Sequence, residues 1–222
     1  MTTTAANPEP QVFEGQFGRF TIEPRDRWEV RLYRTGLLIA ASAVAIATAL
    51  IYWPDRPDSA LSVITGLYVL FCLGLGLSLW TIHIYLWPLH RLLQLFWLIG
   101  CSVAGVLTFS HAEPLGLYVY QHPLSILGIG FSFAALTGIY FKEAFCFNRV
   151  ETKFLTVLVP LLLLGHLAGW LAPGIEQGLL TAWAGLFVIF GLRKLGQPLA
   201  ADIGDKSVFE YLKQQRQSQK VS

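Results

Sequence analysis

The chain has 222 residues, 54% hydrophobic and only 14% charged, with a mean hydropathy of +0.53. Ordinary soluble domains carry about 25% charged residues, so this composition points away from a soluble enzyme or binding module. A net charge of +2, with the basic residues dispersed, leaves no footprint for nucleic acid.

Several apolar runs of about 19 residues lie between Thr35 and Leu192 and read as an all-α, polytopic transmembrane helical bundle. Lipid offers the backbone no hydrogen-bond partner, so each run must be a helix. The alternating strands of a membrane barrel are absent.

Residues 1–11 are Thr/Ala/Pro-rich and expected to be disordered, and they lack the basic and apolar regions of a cleaved signal. Residues 12–34 form an expected cytoplasmic interfacial segment. Within it, VFEGQFGRFTIEP scatters aromatics among glycines and charges, which fits an extended or turn-like stretch on the membrane surface. Asp26 is the expected N-cap of a helix that places Arg27, Arg31 and Arg34 on one face toward anionic headgroups.

The transmembrane domain covers residues 35–193, with spans at about 35–53, 60–87, 92–110, 122–141, 154–172 and 175–192. Ala41, Ala45 and Ala49 in the first span, Gly130, Ala134 and Gly138 in the fourth, and the Gly165-xxx-Gly169 spacing in the fifth are expected to admit close helix approach. Pro88 closes the second span, and HAEPLGLYVYQ is a loop. Residues 194–222 form a tail with a short amphipathic helix, and Ser207 and Glu210 stand at capping-box spacing.

Of the 16 lysines and arginines, all but Arg56 fall on the side that holds both termini. The positive-inside rule therefore predicts cytoplasmic termini.

No Asp, Glu, Lys or Arg is expected well inside a span, which argues against a proton-driven transporter. The titratable candidates within the membrane are His83, near the cytoplasmic edge, and His166, about 18 Å above it. They are the cofactor-binding candidates, for haem, chlorophyll or quinone, although structural histidines are the default and no cofactor is predicted outright. Cys72, Cys101 and Cys146 are far apart in sequence and form no disulfide or zinc pattern. No catalytic or metal-binding motif is present. FKEAFCFNRVETK, residues 141–153, is the one densely charged interruption of the apolar region. It is an interfacial anchor whose Lys142, Glu143 and Cys146 are candidate partner contacts.

EGQFGRFTIEP, DRWEVRLYRTG and FKEAFCF resemble segments of a family of uncharacterised integral membrane proteins of cyanobacteria and plants, a likeness covering about residues 12–213. The resemblance implies a thylakoid or plasma membrane setting and supplies no catalytic residue. The leading functional expectation is a non-enzymatic assembly or stabilising factor for a larger membrane complex. The alternatives are a small permease for a neutral or hydrophobic solute, and a haem-, pigment- or quinone-binding redox protein.

Overall fold

The structure is a computed structural model that describes residues 12–54, 57 and 59–221. The expected disorder of residues 1–11 and the lone Arg56 lie outside the described residues.

The chain opens with a hairpin, β1 (Val12–Gly15) antiparallel to β2 (Gly18–Thr21), in which Phe13 opposes and stacks on Phe20. α1 (Pro24–Ile51) follows directly. Its N-cap is Glu23, and Asp26, three residues on, returns a carboxylate oxygen to the Glu23 N–H at 2.8 Å. Asp26 thus belongs to a capping box and is not the cap itself. Pro24 fits the first turn, where its missing N–H has no helical partner to lose.

Next come α2 (Ser59–Thr81) and α3 (Trp87–Ser110). α2 ends six residues before the expected Trp87 because Pro88 opens α3 and does not close α2. The terminal carbonyl of Leu79 is taken up by side chains of α3, His90 Nε2 at 2.6 Å and Gln94 Nε2 at 3.2 Å. The expected loop after α3 contains a short helix, α4 (Leu115–Gln121), tied to α2 by the Leu115 N–H donating to Thr65 Oγ1, and a 3₁₀ turn at Pro123–Ser125.

α5 (Ile126–Phe147) runs past the expected end at Phe141, so FKEAFCF forms its last turns. Asn148, in the left-handed conformation at φ 51°, stops it. α6 (Val150–Leu167) starts four residues before its expected beginning and ends five residues before its expected end, because Gly169 is the hinge of a Schellman turn: Trp170 N–H reaches Gly165 O at 3.0 Å and Gly169 N–H reaches His166 O at 3.0 Å, with φ +66° at Gly169. The Gly165-xxx-Gly169 spacing is therefore a helix stop and not a helix–helix face. α7 (Pro173–Leu195) outruns its expected end at Leu192, and the tail folds into α8 (Leu199–Ile203) and α9 (Lys206–Val221). α9 starts at Asp205, whose carboxylate accepts the Ser207 N–H, so Asp205 caps it in place of Ser207.

Among the described residues, six helices are long and apolar enough to cross a bilayer: α1, α2, α3, α5 with its preceding turn, α6 and α7. The protein is a polytopic helical membrane bundle. Neighbour follows neighbour in a closed ring, α1–α2–α3–α5–α6–α7 and back to α1. Aromatics fill the interior: Tyr140 meets Phe187 and Phe190 edge-on, and Trp183 Nε1 donates to the Tyr140 hydroxyl at 3.3 Å. The outside is apolar where lipid would lie, with Leu73, Val106 and Val157 each more than 60% exposed.

The tightest crossings do not use the expected small residues. A Cβ on Gly36 of α1 would strike the Gly74 carbonyl of α2, and one on Gly100 of α3 would strike the Ser132 backbone of α5. Ala41 is buried, but Ala45 and Ala49 rotate progressively outward. In α5 Gly138 packs against Leu93, whereas Gly130 meets only its own helix.

Candidate functional site

The N-terminal hairpin and the α8–α9 tail sit at one end of the bundle, here called the terminal end. The elongation of α5 and α7 converts Glu143 and Lys194 from expected loop and tail residues into helix residues facing inward. Neither exposes any surface. Lys194 Nζ lies 2.7 Å from Glu143 Oε2 on one side and in contact with Asp202 Oδ1 of α8 on the other. Asp202 is held in turn by Arg34 of α1, whose Nε and one terminal nitrogen donate to Oδ2 at 2.8 and 2.6 Å. Glu143 Oε1 accepts from the Tyr33 hydroxyl at 2.8 Å and from Lys142 at 3.0 Å. The Lys194 ammonium also lies over the Phe147 ring, 4.6 Å from its centroid.

Two acids and three bases from α1, α5, α7 and α8 thus form one buried network. Removing a member would leave its oppositely charged neighbours with one partner fewer in a buried interior, and breaking a buried ion pair from one side is the costly case. A partly exposed outer arc extends it, with Arg193 and Arg149 on Glu151 at 2.8 and 3.5 Å and Arg149 on Gln197 at 2.6 Å.

The network redistributes the sequence candidates. Glu143 is fully enclosed, Lys142 keeps about a tenth of its side chain exposed, and Cys146 alone of the three is exposed. They do not share one accessible surface. Arg34 turns inward, while Arg27 and Arg31 stay exposed, so the three do not form one headgroup-facing stripe. Arg34, Lys194 and Asp202 carry no sequence mark of their role, because an arginine or lysine at the end of an apolar run looks the same whether it snorkels outward or pairs inward. Tyr33 is missed for a similar reason, since an aromatic at a span edge reads as part of an interfacial belt.

The histidines divide between the two ends. His166 Nδ1 lies 2.7 Å from Glu176 Oε1, its ring stacks on Tyr120, and its buried Nε2 has no hydrogen-bond partner among the described residues. At the same end Tyr118 is flanked by the rings of His111 and His122. His83 sits at the terminal end in the link between α2 and α3, its Nε2 3.4 Å from Glu29. Burial lowers the His83 imidazole below its ordinary range against the opposing pull of Glu29 and Asp26, favouring the neutral ring. His83 and His166 therefore cannot ligate one haem or metal.

One ligand atom each from Asp26, Glu29 and His83 lies within 4.8 Å of the others, a spacing open to a metal ion. Each carboxylate already has a cation from this chain, however: Lys206 Nζ is 2.8 Å from Asp26 and Arg25 Nε 2.8 Å from Glu29.

The tail is clasped to the N-terminal hairpin. The Gln16 N–H donates to Asp205 at 2.6 Å, the Phe17 N–H to Ser207 Oγ at 3.0 Å, and the Phe17 and Tyr211 rings stack at 4.1 Å. Hydrogen bonds from Ser207 and the Gln16 N–H lower the Asp205 carboxyl below the usual range.

The architecture, with its six apolar helices, agrees with the comparison to known families. A family model described as "Uncharacterized integral membrane protein (DUF2301)" matches residues 77–211. The chain belongs to that family. The match takes in Glu143, Lys194, Asp202 and His83, but the hairpin and Arg34 precede it. A similar protein of Haemophilus influenzae, described only as an uncharacterized protein, is 29% identical over 189 residues, covering 83% of this chain and 92% of its own. No solved structure matches the chain.

Proposed function

We propose that this DUF2301 member is a non-enzymatic scaffold that assembles or stabilises a larger complex in a plasma or thylakoid membrane, with both termini in the cytoplasm. The observation that carries the reading is the buried network Arg34–Asp202–Lys194–Glu143, which ties four helices together at the terminal end. A permease must open each end in turn. Opening this one would part charges in a desolvated interior, where each unpaired ion costs several kcal/mol. The clasp between hairpin and tail covers the same end with a folded cap, a preformed surface for a partner.

Extraction of the full chain from its own membranes in mild detergent, followed by native electrophoresis and mass spectrometry, tests this reading. A reproducible larger species with a fixed membrane-protein partner is expected. Migration of the chain on its own under all mild conditions contradicts it.

A further inference from the structure

A cavity of about 530 Å³ opens at the terminal end, between the first turns of α1, the 82–86 link and α9. Its wall has two chemistries. Arg25 and Lys213 supply positive charge, offset only by Glu29, and Trp80, Trp87 and Phe209 supply an apolar flank. Its arginine, lysine and glutamate together leave one positive charge in excess.

The position of the cavity separates lipid from soluble ligands. Trp80 stands at the end of α2 and Trp87 at the start of α3, and they are 80% and 52% exposed. Exposed tryptophans at span ends mark the headgroup level of a bilayer. Below them the outer flank of α2 presents Leu73, 64% exposed, to the hydrocarbon. A molecule in the cavity therefore has cationic groups at one end and a continuous apolar path into the membrane at the other.

We propose that this cavity binds the headgroup of an anionic phospholipid, with its phosphodiester between Arg25 and Lys213 and its glycerol backbone over Trp80 and Trp87. A zwitterionic lipid brings a cation of its own, and Glu29, the acid in the lining, is already paired with Arg25 at 2.8 Å through Nε, a contact that leaves the terminal nitrogens of that guanidinium to face the phosphodiester. Inorganic phosphate would gain nothing from the tryptophan flank.

The test uses the full chain in a non-ionic detergent, titrated with short-chain phosphatidylglycerol, short-chain phosphatidylcholine, glycerol 3-phosphate and inorganic phosphate. Arg25 and Lys213 are exposed, so Arg25→Gln and Lys213→Gln are expected to leave the thermal midpoint of the chain unchanged. Each is expected to weaken phosphatidylglycerol binding about fivefold and the pair roughly 30-fold. Trp80→Ala should weaken the lipid and leave inorganic phosphate unchanged. Arg19→Gln with Lys153→Gln removes the same charge from the same end and should change binding less than about twofold. Equal binding of phosphatidylcholine, an equal loss in that control pair, or no loss in the Arg25/Lys213 pair would overturn the site. Phosphate or glycerol 3-phosphate binding as tightly as the lipid would overturn the lipid assignment.

Discussion

Lys194 is the residue on which the terminal end turns, because its ammonium faces Glu143 on α5 and Asp202 on α8 with no exposure to water. Replacing it with methionine keeps the stem and removes the charge, leaving two buried carboxylates with one fewer cation. Lys194→Met is expected to lower stability by about 3–5 kcal/mol, read as a fall in the thermal midpoint of the detergent-purified chain. Adding Glu143→Gln should recover part of that loss, since it removes one of the two carboxylates left with a single cation. Strictly additive losses would mean that the two groups do not interact. At this scale the sequence was only half legible. Glu143 stood out because it interrupts an apolar region, but its distant partners Lys194 and Tyr33 come from residues 51 and 110 positions away, and spacing along a chain does not encode contacts of that kind.

Among the elements, hydropathy located the spans and capping chemistry moved their ends. Pro88 looks like the close of α2 and is the opening of α3, and Gly165 and Gly169 look like a packing face and form a helix stop. In both cases a local hydrogen-bond requirement at a helix end decides, and an apolar periodicity carries no information about it. The α1–α2 crossing depends on Gly36 meeting Gly74, where an added Cβ on Gly36 would also lie 2.5 Å from Ser78 Oγ. Gly66 on the same α2 has nothing within 4 Å of the corresponding position. Gly36→Ala should therefore destabilise by about 1–3 kcal/mol from overpacking, while Gly66→Ala should be neutral or slightly stabilising. Thermal midpoints of the two variants under one detergent check this. Similar losses at both sites would mean that the crossing is not set by backbone contact.

For the whole molecule, a ring of helices closed at the terminal end by buried charge and capped by a hairpin–tail clasp describes a body with one resting shape. The membrane class and the division of histidines between the two ends were legible from composition and parity, because a bilayer imposes both. The closure was not, since it arises only when four separate helices meet. The rigidity of that end separates a scaffold from a carrier most directly. Cys146 on α5 is exposed and Arg31 on α1 is exposed, so a chain with Cys72→Ala, Cys101→Ala and Arg31→Cys accepts one spin label on each helix. Pulsed electron–electron resonance in lipid nanodiscs should give a single narrow distance between the labels, broadened by Lys194→Met. Two well-populated distances in the chain with Lys194 intact would show that the terminal end opens and would contradict the scaffold.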